Sequence, residues 1–162
     1  MRTSGRLHPR SLSFTVFWRV LLAIMFRSAV TAMAKRIIST PKAPAAVGPY
    51  NQAVITNGLM FCSGQIGFDP ESMKFVSDEV EGQTEQCLKN MLAVLEAGGA
   101  GIEDVVKTTV FVADMGDFAK VNAIYEKYFS DTKPARSCVA AKTLPKNALV
   151  EIECIAALPS GK

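Results

Sequence analysis

Hydrophobic residues recur with two different periods along the chain, and each period predicts one kind of element. In residues 52–66 two apolar runs flank Asn57-Gly58, a dipeptide that accepts the positive φ angles of a tight hairpin turn. We therefore predict two antiparallel strands joined at that turn. A short strand at 36–39 and a proline-rich surface loop at 41–53 precede them.

Two later segments have the helical period. From Ser77 onward, apolar residues recur every three or four positions up to Gly98-Gly99, which predicts a long amphipathic helix with Ser77 as its N-terminal cap. A second helix is predicted after Asp117, its cap, with an apolar stripe from Phe118 to Phe129.

Three further strands complete the predicted fold. Residues 105–113 are rich in β-branched residues and predict a strand buried on both faces, and residues 135–142 and 148–158 predict the last two strands, separated by Pro145. This order predicts a single α+β domain with both helices on one face of a mixed sheet. The other face would be exposed in a monomer, which favours an oligomer. To that face we assign Val54, Val110, Val112 and Ile155.

Charge separates residues 1–32, an N-terminal extension, from the domain at 33–162. The chain of 162 residues has a formal charge of +3, but residues 33–162 contain 13 basic and 15 acidic side chains, a balance of −2. This balance argues against binding to nucleic acid, and a membrane span is not expected because Arg19 interrupts the only long apolar run.

The extension contains no Asp or Glu, and its arginines alternate with Ser and Thr, which is typical of a mitochondrial transit peptide. Translation from Met33, giving a cytoplasmic protein, and a secretory signal are the alternatives.

The inventory of side chains limits the possible chemistry. The only histidine is His8, in the extension, so the domain cannot hold a histidine-based triad. The four cysteines form no C-x-x-C pair, so we expect no metal site and reduced thiols that mostly lie in the core.

Arg136 is the first candidate site residue, since it is the only arginine after Arg36. A guanidinium can hold a carboxylate through two parallel hydrogen bonds, so Arg136 predicts an anion site. Glu151 and Glu153 project from one face of the last strand, and one of them would approach Arg136 if that strand paired with the strand that Arg136 begins. A structural Arg–Glu pair is the alternative.

Three more polar side chains are candidates for the site. Tyr50 and Ser63 can each donate or accept a hydrogen bond, although both residue types are also common as structural anchors. Asn122 falls on the inward arc of the second helix, where a buried amide needs partners, and helix packing is its alternative role.

These residues lie in segments that together resemble the RidA (YjgF) family of 2-imino-acid deaminases. The resemblance covers nearly everything from Met33 to the C-terminus and includes the pattern P-A-R-S-x-V followed by V-E-I. The matching segments are GPY (48–50), CSGQI (62–66), VVKTTVFVAD (105–114), DFAKVNAIYEKYF (117–129), PARSCV (134–139) and LVEIECIA (149–156). Lys133 departs from the family pattern, where an aromatic residue is frequent, and leaves substrate preference open.

The resemblance implies a chorismate-mutase-like α+β subunit, a homotrimer, and sites in the clefts between subunits, with no cofactor. It implies hydrolysis of 2-aminoacrylate, 2-iminopropanoate and 2-iminobutanoate to 2-oxo acids and ammonium. By resemblance, Arg136 binds the substrate carboxylate, Glu151 positions the attacking water, and Cys138 contributes main-chain hydrogen bonds. The remaining pocket groups would be Tyr50, Ser63, Gly64 and Asn122.

Two other functions remain open at this point. The same clefts could hold a small carboxylate such as a 2-oxo acid without turnover, although the presence of Glu151 favours an enzyme. A ribonuclease activity has also been attached to the family name, but the acidic domain without histidine argues against RNA cleavage by general acid–base chemistry.

Overall fold

The computed structural model describes residues 35–158 of the chain. In this range six strands form one mixed sheet in the order β1-β2-β3-β6-β4-β5, in which only β4 and β5 are parallel. The strands are β1 (Arg36–Ile38), β2 (Ala53–Thr56), β3 (Leu59–Ile66), β4 (Val105–Val112), β5 (Ala135–Ala140) and β6 (Val150–Ala157), and the α-helices are α1 (Val80–Gly98) and α2 (Phe118–Phe129). The predicted extension lies outside the described residues.

Both predicted turn signals are confirmed. Asn57 and Gly58 have φ angles of 50° and 75° and join β2 to β3. Helix α1 ends as predicted, because Gly99 adopts a left-handed φ of 88° and its N–H bonds back to the Glu96 carbonyl. The sequence thus located the hairpin and the end of the long helix.

The predicted helix caps are not made by side chains. Helix α1 begins at Val80 rather than directly after Ser77, whose hydroxyl instead accepts a hydrogen bond from the Glu79 N–H at 2.9 Å. Asp117 does occupy the N-cap position of α2, but its carboxylate makes no capping bond and pairs with Lys120 at 3.3 Å.

Both helices cover one face of the sheet, and the core lies between the helices and that face. Buried residues of β6 alternate with half-buried ones: Val150, Ile152 and Cys154 face the helices, and Glu151 and Glu153 face the other side. The core also contains Cys62 and Cys87, so three of the four cysteines are buried as predicted.

Two predictions about β4 are wrong, and a strand pairing that the sequence left open does not occur. Val110 and Val112 are at most 1% exposed and point into the core, so β4 is buried on the helix face only. The open face of the sheet carries Ile37, Val54, Phe61 and Ile155, which are register neighbours across four strands. In addition, β6 does not pair with β5, because β4 lies between them.

Candidate active site

The first group of candidate residues surrounds an irregularity in the pairing of β3 with β6. Between the pairs Cys62–Cys154 and Gln65–Ile152, two residues of β3, Ser63 and Gly64, lie opposite the single residue Glu153. Such a β-bulge bends the strand and changes where nearby side chains point. It brings the Gly64 backbone close to the side chain of Glu151.

Gly64 is required here because its missing side chain makes room for a carboxylate. A Cβ atom on Gly64 would overlap Oε1 of Glu151 and lie 2.7 Å from its Cδ. Any larger residue would therefore displace the Glu151 carboxylate, which ties the position of this side chain to the glycine.

Glu151 and Gly64 line a cavity of about 420 Å³ together with Tyr50 and Ser63. Four of the seven predicted site residues therefore share one cavity. Ser63 is fixed in it, because its hydroxyl donates to the Asn51 carbonyl at 2.6 Å and its N–H donates to the Gln52 carbonyl at 3.0 Å.

The loop that carries Tyr50 is held by Gln52. The amide of Gln52 is 4% exposed, and its Nε2 donates to the carbonyls of Thr40, Ala43 and Pro44 while its Oε1 accepts from the Thr40 N–H. A buried amide with all these bonds stabilises the extended loop. Tyr50 itself is 47% exposed and its hydroxyl accepts from the Val47 N–H at 3.3 Å.

Burial and a neighbouring charge make Glu151 more basic than an ordinary glutamate. Burial raises the pKa of Glu151 most, and the negative charge of Glu153 raises it further. Within residues 35–158 the Glu151 carboxylate makes no salt bridge and no side-chain hydrogen bond. It can therefore accept a proton from a small molecule in the cavity.

The second group surrounds Arg136 on β5. Its Nη1 donates to Oδ1 of Asn122 at 2.9 Å, and its Cζ lies 4.7 Å from the ring centroid of Tyr125 and 5.7 Å from that of Phe118. The predicted need of Asn122 for a partner is thus met by the predicted anion-binding side chain. Arg136 is exposed and has no carboxylate within 4.0 Å among residues 35–158, so most of its donors are available.

Cys138 follows Arg136 on the same face of β5 and packs partly against the core. Burial raises the pKa of the Cys138 thiol, and the nearby Arg136 charge offsets this only in part. The thiol is therefore protonated at neutral pH and is a poor nucleophile.

The two groups do not meet within one copy of the chain. Arg136 pairs with Thr108 of β4 and points to the helix side, whereas Glu151 pairs with Phe111 and points to the open side. Two strand spacings and three residues along the strand separate their Cα atoms by about 14 Å. The strand pairing that would have placed a carboxylate of β6 near Arg136 does not occur, because β4 separates the two strands.

Sequence reasoning missed several residues around these groups. Phe118 and Tyr125 belong to the predicted apolar stripe, and Tyr125 is buried as predicted, but both rings also lie against the guanidinium of Arg136, which the sequence did not indicate. Lys146 lines the Glu151 cavity from a turn in which it and Asn147 adopt left-handed φ angles of 56° and 60°. The two aromatic residues could have been found from the apolar stripe of the second helix, whereas no sequence pattern indicated the left-handed turn that carries Lys146.

The described residues form an α+β fold whose candidate site residues lie in two separate places, and comparisons with known proteins give its class. The family model described as Endoribonuclease L-PSP matches residues 40–158, so the chain belongs to this family. This result confirms the resemblance stated above, and the solved structures below confirm the α+β fold class.

Relatives cover most of the chain. It is 55% identical over 128 residues to Reactive Intermediate Deaminase A, chloroplastic, of Arabidopsis thaliana, covering 79% of this chain and 68% of the relative. It is 46% identical over 127 residues to the human 2-iminobutanoate/2-iminopropanoate deaminase, covering 78% and 93%.

Solved structures agree with this relationship. RidA from an Antarctic Psychrobacter species has a TM-score of 0.73 and 43% identity, covering 76% of this chain and 99% of that protein. Escherichia coli TdcF with bound serine has a TM-score of 0.72 and 38% identity, covering 76% and 99%.

Proposed function

We propose that the protein hydrolyses 2-enamino and 2-imino acids to 2-oxo acids and ammonium, with 2-aminoacrylate, 2-iminopropanoate and 2-iminobutanoate as substrates. The observation that carries this proposal is Glu151: a half-buried carboxylate with a raised pKa and no protein partner in residues 35–158, lining a cavity. Such a group is suited to hold and deprotonate one water molecule.

The site is completed by a second copy of the chain. The Arg136 group and the Glu151 group lie on opposite faces of one sheet, so a single subunit cannot bring them to one small substrate. We propose a homotrimer in which Arg136, Asn122 and Cys138 of one copy face Glu151, Gly64, Ser63 and Tyr50 of the next copy. The apolar open face, including Phe61 at 41% exposure, supports burial against other copies.

The reaction then needs few groups. Arg136 binds the substrate carboxylate through two hydrogen bonds and fixes its orientation. 2-Aminoacrylate reacts as its imine tautomer, 2-iminopropanoate. A water on Glu151 adds to the carbon of the protonated imine while one of its protons passes to the carboxylate, and the nitrogen of the resulting carbinolamine takes that proton. The C–N bond then breaks as the hydroxyl proton passes to the departing ammonia, and a 2-oxo acid and ammonium are released. The iminium carbon is already electrophilic, so no covalent intermediate on Cys138 is required.

A coupled assay tests this function. A pyridoxal-phosphate dehydratase generates 2-aminoacrylate from serine, and pyruvate release is followed with and without the protein, with Glu151→Ala as the matched control. We expect the wild type to accelerate pyruvate release and Glu151→Ala to lose most of that effect. Equal rates of pyruvate release in the assay with wild type and in the assay with Glu151→Ala would refute the role of Glu151.

A second candidate function is binding of a 2-oxo acid without turnover. It is favoured by the Arg136 group, which is assembled without any contribution from Glu151. Calorimetry with 2-oxobutanoate separates the two functions: binding by the wild type together with no acceleration in the coupled assay would support the binding module. The family description refers to an endoribonuclease, but the acidic balance of residues 33–162 gives no support for RNA binding.

A further inference from the structure

Behind the guanidinium of Arg136 lies a hydrogen-bonded pair of hydroxyl groups in the core. The side chains of Thr108 on β4 and Tyr125 on α2 are 0% and 6% exposed, and their hydroxyl oxygens are 2.8 Å apart. Thr108 is also the register partner of Arg136 across β4 and β5. The neighbouring strands β4 and β5 therefore carry the two residues that contact Tyr125: Thr108 bonds to its hydroxyl, and Arg136 lies over its ring.

The ring of Tyr125 is held along its length. Phe129 stacks on it with ring centroids 4.4 Å apart and an interplanar angle of 28°, and Thr108 holds its hydroxyl end. Burial raises the pKa of Tyr125, so the hydroxyl stays protonated at neutral pH. The surface that the ring presents to Arg136 is consequently fixed by the core.

We infer that Thr108 and Tyr125 are positioning residues for Arg136. The hydroxyl pair fixes the ring, the ring fixes the plane of the guanidinium, and Asn122 fixes its rotation by accepting one of the five N–H donors. The remaining donors are then oriented toward a ligand carboxylate before it binds. A flexible arginine would lose more side-chain entropy on binding, so fixing it increases affinity. This inference rests on the proposed role of Arg136.

Variants of the hydroxyl pair test the inference by ligand binding. Thr108→Val and Tyr125→Phe each remove one hydroxyl and keep the shape, and Thr108→Ser keeps the hydroxyl as the matched control. We expect the first two to weaken 2-oxobutanoate binding and raise KM about three- to tenfold with kcat near the wild-type value, and Thr108→Ser to stay within twofold. In an Arg136→Ala background, Thr108→Val should have no further effect on binding.

A spectroscopic measurement tests positioning without any ligand. The ¹⁵N relaxation of the Arg136 Nε–H gives an order parameter, which should fall in Thr108→Val and Tyr125→Phe relative to the wild type and Thr108→Ser. Arg36 is an internal control, because its guanidinium donates to the Gly98 carbonyl at 2.8 Å, away from this group, and should not change.

The outcomes separate this inference from the proposed function. A drop in the Arg136 order parameter supports positioning even if the wild type does not accelerate imine hydrolysis, which would refute only the enzyme proposal. A lower melting temperature in Thr108→Val and Tyr125→Phe, with an unchanged order parameter, would mean that the hydroxyl pair is merely structural and would overturn the inference. If Thr108→Val does not fold, Tyr125→Phe decides by the same measurement.

Discussion

Substitution of Gly64 by alanine should lower the catalytic rate strongly and leave the stability of the fold almost unchanged. The added Cβ would overlap Oε1 of Glu151 and lie 2.7 and 2.8 Å from its Cδ and Cγ, so the carboxylate must move by about 1 Å or more. A misplacement of this size costs roughly 100-fold in rate, or about 3 kcal/mol of transition-state stabilisation. We therefore expect kcat in the coupled deaminase assay to fall by about two orders of magnitude.

Stability should change little in the same variant. Gly64 does not have the left-handed φ that would strain an alanine. The atoms that the added Cβ would displace belong to the flexible side chain of Glu151. An alanine also reduces the entropy of the unfolded chain, which stabilises by about 0.4–1 kcal/mol. The free energy of unfolding from urea titration should thus stay within about 1 kcal/mol of the wild type.

The double variant supplies the control for this reasoning. In a Glu151→Ala background the added Cβ has no carboxylate to displace, so Gly64→Ala should cause no further loss of rate. The reasoning is refuted if Gly64→Ala alone keeps the wild-type rate, or if it lowers the rate of Glu151→Ala by another factor of about 100.

Three further predictions concern pH, assembly and the extension. Because Glu151 must be ionised to accept a proton, the rate of imine hydrolysis should fall as pH drops through the raised pKa of Glu151. The variant Glu153→Gln removes a charge that raises this pKa, so the acid limb of its pH–rate profile should move to lower pH. An acid limb that stays in place or moves to higher pH would contradict the assignment. Light scattering of the full chain should give three times its 17.5 kDa mass. The variant Phe61→Asp places a charge on the open face of the sheet and should give the mass of a monomer. A monomeric wild type would contradict the shared site. N-terminal sequencing of native protein should find residues 1–32 removed, and an intact Met1 would argue against a transit peptide.

Local patterns predicted most elements of this fold, because the signals for them are themselves local. Asn57-Gly58 fixes a hairpin and Gly98-Gly99 ends a helix through the conformations available to those residues. The periods of hydrophobic residues located both helices and all six strands in residues 35–158, with boundaries shifted by at most three residues.

Strand order was not predictable in the same way, since pairing depends on contacts far apart in sequence. The short connection through Pro145 suggested neighbouring strands, yet β4 lies between β5 and β6. The inward face of β4 was also ambiguous, because Val110 and Val112 alternate with the equally apolar Phe111. One wrong choice of face moves every side chain of a strand to the other side.

The candidate site shows the same limit. The residue types of Arg136 and Glu151 suggested carboxylate and water chemistry, but their placement on opposite faces appears only when β4 is placed between their strands. Likewise, the spacing of Tyr125 is that of any core aromatic, and its contact with Arg136 depends on the parallel pairing of β4 with β5.

Complementation between two inactive variants tests the shared site most directly. Arg136→Ala and Glu151→Ala are each expected to lack activity, because each removes one half of every site. When they are co-expressed in equal amounts and assemble at random, each site has roughly one chance in four of combining an intact Arg136 from one copy with an intact Glu151 from another. We predict that the whole co-expressed population, homotrimers included, regains roughly a quarter of the wild-type rate of imine hydrolysis. Mixed trimers, verified by native mass spectrometry, that remain as inactive as the separate variants would contradict a site built from two copies of this chain.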